Sequence, residues 1–147
     1  MECRIATLDE VKQQFNYLIR VNKNKDEWIQ WKTNFLKEIT SGMTIPFYGF
    51  LDGECICEAY DEKIYSNIVY LKAFRTKKEF QNQGYFSQLY HFMMQELSKQ
   101  YQHAMIGVEE DDEINTSRYK HYGFTTYIGT FPSASGRCRI AYFRKDF

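Results

Sequence analysis

Residues 68–89 read IVYLKAFRTKKEFQNQGYFSQL: an apolar strand, a short basic stretch, then Gln81-Asn82-Gln83-Gly84 at the opening of a long helix. A helix that begins directly after a strand leaves its first backbone N–H groups unpaired and pointing into one small space. Together with the positive end of the helix dipole they form a seat for a phosphate or pyrophosphate. Glycine at position 84 lets the backbone come close to such an anion. The stretch therefore predicts a phosphate-bearing cofactor bound at a strand-to-helix turn.

Upstream, residues 2–7 (ECRIAT) read as a first strand. Asp9 is placed to cap a helix carrying Val11, Phe15, Leu18 and Ile19 on one face. After a polar break from Asn22 to Asp26, a second helix shows Trp28, Trp31 or Lys32, Phe35, Leu36 and Ile39 as its apolar stripe and stops at Ser41-Gly42. Such a Trp-rich stripe is either core packing or the aromatic side of a substrate lid. Asp52-Gly53 between two apolar runs, Thr44 to Leu51 and Glu54 to Asp61, signals a hairpin.

Downstream of a strand at about Asn67 to Phe74, the helix from about Gln83 to Lys99 buries Phe86, Leu89, Tyr90, Met93 and Leu97. Residues 104–108 (AMIGV) read as a buried central strand. An acidic loop, a short helix to Tyr122 ended by Gly123, and two strands around Thr125 to Thr130 and Arg137 to Arg144 complete the chain. The order β-α-α-β-β-β-α-β-α-β-β predicts an α/β fold with a mixed sheet.

At 147 residues the expectation is one domain spanning 1–147, burying roughly two-thirds of its unfolded surface. The 19 basic and 19 acidic residues balance, which argues against a nucleic-acid partner; a local basic patch remains at residues 72–78. No apolar run approaches the ~20 residues of a membrane span, and the first residues lack a secretory pattern. A soluble cytoplasmic protein without a membrane partner is expected. Four scattered cysteines suit reduced thiols. Cys55 and Cys57, two apart on a strand, are expected to face the same side. Without a second Cys/His pair at suitable spacing they read as buried thiols, and no metal is expected.

Neither common phosphate fingerprint fits. No Gly-Lys pair exists for a P-loop, and the turn at Gly84 lacks the further glycines of a dinucleotide fold. What the turn resembles is the GNAT superfamily of acyl-CoA-dependent N-acyltransferases, whose pyrophosphate signature is [Q/R]-x-x-G-x-[G/A]. Here it reads Gln81-Asn82-Gln83-Gly84-Tyr85-Phe86, with Phe86 departing from the usual small residue. Tyr119-Lys120-His121-Tyr122-Gly123-Phe124 resembles the family's Y-x-x-x-G-F, and Val108 to Asn115 its V-x-x-x-N-x-x-A, with Asp112 at the Asn position.

The resemblance implies a mostly antiparallel sheet with helices on both faces and splayed central strands. It implies acetyl-CoA as co-substrate and a small-molecule or peptide amine as acceptor. The backbone of Phe74, Arg75 and Thr76 would pair with the pantetheine arm, and the turn Gln81 to Phe86 would hold the diphosphate. Arg75, Lys77 or Lys78 would meet the 3′-phosphate. Tyr119 would be the acid that protonates the departing thiolate. Glu109, at the carboxyl end of the central strand, is the foremost base candidate and Glu58 another. His91, His103 and His121 read as surface or packing residues. A non-catalytic CoA-binding module stays open as a second reading, as does an interaction protein without CoA. An exposed edge strand and many rings leave room for a homodimer.

Overall fold

The computed structural model describes residues 1–15 and 25–147. Among the described residues seven strands lie in one sheet in the order β1-β2-β3-β4-β5-β7-β6, and four α-helices accompany them. The chain divides into two compact units, one of residues 1–62 and 73–95, the other of residues 63–72 and 96–147. Leu18 and Ile19 of the first stripe lie outside the described residues, while the second helix is already formed at Lys25, inside the polar break expected to run to Asp26.

In the first unit, β1 (Glu2–Ile5) pairs antiparallel with β2 (Thr44–Leu51), and β2 with β3 (Glu54–Tyr65). Asp52 and Gly53 both take positive φ, 51° and 80°, as a two-residue hairpin turn requires. A bulge between Gly49 and Phe50 sets Gly49 opposite Cys57 but Phe50 opposite Cys55. That extra residue turns Cys55 onto the face of Tyr48 and Phe50, while Cys57 sits behind Gly49. The two thiols therefore face opposite sides, contrary to the plain period-two reading.

Helix α1 (Leu8–Gln14) is capped by Thr7 rather than Asp9: Thr7 accepts from the Glu10 N–H, and the Glu10 side chain accepts from the Thr7 N–H. With α2 (Lys25–Thr40) it covers one face of the first three strands. Val11, Phe15, Phe35, Tyr48, Phe50, Cys55 and Tyr60 form that core, flanked by Trp28, Trp31, Leu36 and Ile39. Each large side chain so buried contributes about 1.5–3 kcal/mol. The aromatic stripe is thus chiefly core. Helix α3 (Tyr85–Leu97) takes the other face, where Phe47 meets Phe92 edge-on with centroids 6.1 Å apart.

In the second unit, the start of β4 (Ile68–Thr76) pairs in parallel with β5 (His103–Glu109), from Ile68↔His103 to Leu71↔Ile106. The pairing of these two strands ends there, while β5 continues to Glu109 against β7 (Arg139–Asp146). β6 (Thr126–Pro132) closes the edge on β7. Gly107 is bare because a Cβ there would stand 2.8 Å from the Tyr70 hydroxyl and 3.0 Å from the Tyr142 ring. Asp112 caps α4 (Glu113–His121), and Gly123, at φ 99°, ends it in a left-handed conformation.

Candidate active site

The first unit carries the turn that the sequence singled out. After β4 a short 3-10 turn, Lys78–Phe80, leads into Gln81 to Gly84, all exposed. Asn82 and Gly84 are left-handed, with φ 60° and 84°. A Cβ on Gly84 would meet no atom within 4 Å, so the space in front of the turn is open. The first backbone bond at the start of α3 is Gln88 N–H to the Gly84 carbonyl, 3.1 Å. The N–H groups of Tyr85, Phe86 and Ser87 precede it and project from the helix end.

Two glutamines shape the turn from within. Gln81 Nε2 donates to the Thr76 carbonyl at 3.0 Å, and Gln83 Nε2 to the Glu79 carbonyl at 2.9 Å. The Phe86 ring packs edge-on against Phe74 with centroids 5.2 Å apart. Phe74, Arg75, Thr76 and Gln81 to Phe86 are therefore brought together in one unit. Lys77 is a different case. It is buried, its Nζ lies 2.5 Å from Glu54 Oε1, and its N–H donates to the Ile56 carbonyl at 2.8 Å. It is committed to the β3–β4 hairpin and not to a surface phosphate. Lys78 is exposed.

The same unit holds a polar group within its aromatic core. Glu58 is 0% exposed. Its Oε2 accepts from the Tyr60 hydroxyl at 2.8 Å, and the Tyr60 and Tyr48 hydroxyls are hydrogen-bonded to each other. Since Tyr60 gives its proton to Glu58, Tyr48 must donate to Tyr60. Glu58 Oε1 has no hydrogen-bond partner among the described residues. Burial pushes the Glu58 carboxyl up to about 7, against the opposing pull of Tyr60 and Arg75. Burial holds both phenols well above their ordinary range. The sequence pointed to Glu58 but missed the tyrosines. Their signal was the register, which sets Tyr48 opposite Glu58 across the hairpin.

The second unit carries the other two catalytic candidates. Tyr119 stands in the second turn of α4, half-buried, and burial raises its phenol above the ordinary value. Its carbonyl accepts from the Phe124 N–H at 3.0 Å. Glu109 is exposed at the end of β5, opposite Ile140. Asp112 is explained locally: Oδ1 accepts from the Asn115 N–H at 3.0 Å and Oδ2 from its side-chain amide at 2.7 Å. Those contacts hold the carboxyl below its usual range. His103 pairs with Asp146 at 2.6 Å, and His91 Nδ1 lies 2.6 Å from the Ser87 carbonyl. Among the described residues no group of three or more His, Cys, Asp or Glu could hold a metal, and no helix is long and apolar enough to cross a membrane.

This strand order, with its parallel β4–β5 pair and an open turn leading into α3, defines the fold of the GNAT N-acetyltransferases. A family model described as FR47-like protein matches residues 47–131, so the chain belongs to that GNAT-related family. Solved structures share the fold across nearly the whole chain. A GNAT family acetyltransferase from Elizabethkingia anophelis with acetyl-CoA bound is 15% identical, with a TM-score of 0.71 over 99% of this chain and 97% of that one. A ribosomal-protein-alanine N-acetyltransferase from Brucella melitensis is 13% identical, with a TM-score of 0.69 over 100% of each. A spermidine N-acetyltransferase chimera from Vibrio cholerae and hSSAT is 11% identical, with a TM-score of 0.78 over 99% of this chain and 96% of that one. No curated protein matches the chain in sequence.

Proposed function

We propose that this chain transfers the acetyl group of acetyl-CoA to a primary amine of a small molecule or peptide, by direct attack of the amine on the thioester. The observation that carries the reading is the open turn from Gln81 to Gly84, with free space where a Gly84 side chain would stand. A diphosphate suits it, because the N–H groups of Tyr85, Phe86 and Ser87 and the positive helix end offer hydrogen bonds and charge together. The backbone of Phe74 to Thr76 would pair with the pantetheine amides, and an N–H there would polarise the thioester carbonyl. With Lys77 buried against Glu54, exposed Lys78 and half-buried Arg75 are the basic residues left for the 3′-phosphate.

Proton bookkeeping then assigns roles. An alkyl amine of pKa about 10.4 arrives as an ammonium ion. Two N–H protons must leave it to give the amide, and one proton must reach the departing thiolate. Tyr119 supplies the last, since a phenol raised by burial stays protonated at neutral pH. Glu109, exposed at the carboxyl end of β5, takes the first proton and passes it to water. The acidic run Glu109 to Glu113 also favours a cationic acceptor.

The test is thiol release from acetyl-CoA against polyamines, aminoglycosides, amino acids and N-terminal peptides. Turnover with one of these classes is expected, reduced by roughly 100-fold in Tyr119→Phe. CoA binding without turnover on any amine would replace the enzyme by a CoA-responsive binding module.

A further inference from the structure

The amine's second proton still needs an acceptor. We propose that Glu58 is that acceptor: its Oε1 takes the N–H proton released as the N–C bond forms, while the Tyr60 and Tyr48 hydroxyls hold Oε2. The inference rests on the acyl-transfer reading above and adds to it a catalytic residue set into the hairpin.

Three observations carry it. First, Glu58 is fully buried, yet Oε1 has no donor among the described residues. A buried carboxylate oxygen without a hydrogen bond is costly, and such groups are rare unless a ligand or a reaction uses them. A bound amine would supply the missing N–H.

Second, the placement is right within the hairpin. The bond from Lys77 N–H to the Ile56 carbonyl fixes the β3–β4 alignment. Counting two residues along each strand in opposite senses sets Glu58 across from Arg75, and the two attract each other. Residues 74–76 are the backbone proposed to pair with the acyl donor. Glu58 thus sits on the strand next to that backbone, about 4.8 Å away across the sheet.

Third, the carboxyl is set for the task. The groups acting on Glu58 are Tyr60 from its own strand and Arg75 from β4. Tyr48 and Cys55 feel its charge in turn, Glu10 of α1 acts on Tyr48, and Lys77 acts on Cys55. Against burial these leave Glu58 at about 7, where a base is half free at neutral pH and still strong enough to accept.

The step balances. The amine nitrogen bonds to the acetyl carbon, the carbon–sulfur bond breaks, the nitrogen's proton passes to Glu58 Oε1, and the sulfur leaves as thiolate to take its proton from the acid.

The test uses acetyl-CoA with whichever amine of the panel turns over fastest. Glu58→Gln should lower kcat by roughly 100-fold with CoA affinity held, and should abolish the acid limb of the kcat/KM profile that the wild type shows around pH 7. Tyr60→Phe keeps the carboxylate but loses a bond that favours its charged form, so its acid limb should move to higher pH. Carbon-13 titration of glutamate-labelled protein should show one carboxyl, absent from Glu58→Gln, titrating at about 7. An unchanged pH profile in both variants, or a Glu58 signal titrating near the ordinary ~4.3, would overturn the proposal with the acetyltransferase reading intact. Absence of wild-type turnover on every amine would remove that reading, and this proposal with it.

Discussion

The ring of Phe86 stands edge-on to Phe74, with centroids 5.2 Å apart and planes inclined at 62°. This contact ties the first turn of α3 to the end of β4, with Tyr90 tilted against Phe86 at 6.4 Å. It accounts for a bulky residue where the family pattern has a small one: the side chain turns into the helix–strand seam and leaves the turn open. Phe86→Ala should cost about 2 kcal/mol, less than a fully buried Phe because the ring is half-exposed. Acetyl-CoA affinity should weaken as well, because the N–H donors lose their anchor. Phe86→Leu should recover most of both. Thermal melts and calorimetric titration with CoA read the two effects separately.

Gly84 poses the opposite case. Its φ of 84° is left-handed, and its missing side chain faces open space. Gly84→Ala should destabilise the fold by only about 1–2 kcal/mol, the cost of placing an L-residue in that conformation. CoA affinity should fall by more than tenfold, because the new methyl would occupy the anion's place. A titration showing equal CoA affinity for the variant would refute the seat while leaving the fold untouched.

Much of this was legible in the chain because it is local. Asp52-Gly53 fixed a hairpin through positive φ at both positions, and the strand–Gln–x–x–Gly–helix order located the turn. What escaped depended on register and packing. The bulge at Gly49/Phe50 turns Cys55 away from Cys57, and no local pattern announces an extra residue in a strand. Thr7 took the cap from Asp9 because its hydroxyl and Glu10 form a reciprocal pair. Lys77, one of a basic run on paper, is buried against Glu54. Glu58 was visible as a carboxylate, but its tyrosine partners emerged only from cross-strand pairing.

Asp112 replaces the family's Asn without loss of the cap it provides. Its oxygens take both the backbone and side-chain N–H of Asn115. Those bonds lower its folded pKa, so their stabilisation is present above the unfolded value and is lost as pH falls through the folded one. Asp112→Ala should lower the melting midpoint at pH 7, with the gap to wild type closing in acid. Asp112→Asn should melt near wild type with a weaker dependence on acid. Melts across pH 2.5–7 decide it, and a gap that persists unchanged at the lowest pH would refute the linkage.

The thiols should separate by burial. Cys55 and Cys57 are buried and pushed up to about 12, so neither ionises at pH 8. Cys138 and Cys3 are half-buried, and burial raises Cys3 as well. Iodoacetamide should modify Cys138 first, then Cys3, and reach the other two only in denaturant. Peptide mass spectrometry over time gives the order, and early labelling of Cys55 would contradict the packing of α1 and α2 over that face.

Glu58 leaves a mark on stability that needs no substrate. Its folded pKa, about 7, lies above the unfolded value, so the folded chain binds more protons between the two. Where the folded state holds the extra proton, stability falls as pH rises, here from about pH 4.5 to about pH 7, and is flat beyond both. Glu58→Gln cannot titrate and should lack this loss. Its stability relative to wild type should therefore rise by about 3 kcal/mol between pH 4 and pH 8, whatever fixed offset the amide introduces. Urea denaturation at the two pH values measures the difference directly. A parallel pH dependence in the two proteins would mean that the carboxyl is solvated in the folded chain, and the closed tyrosine–glutamate arrangement would be wrong.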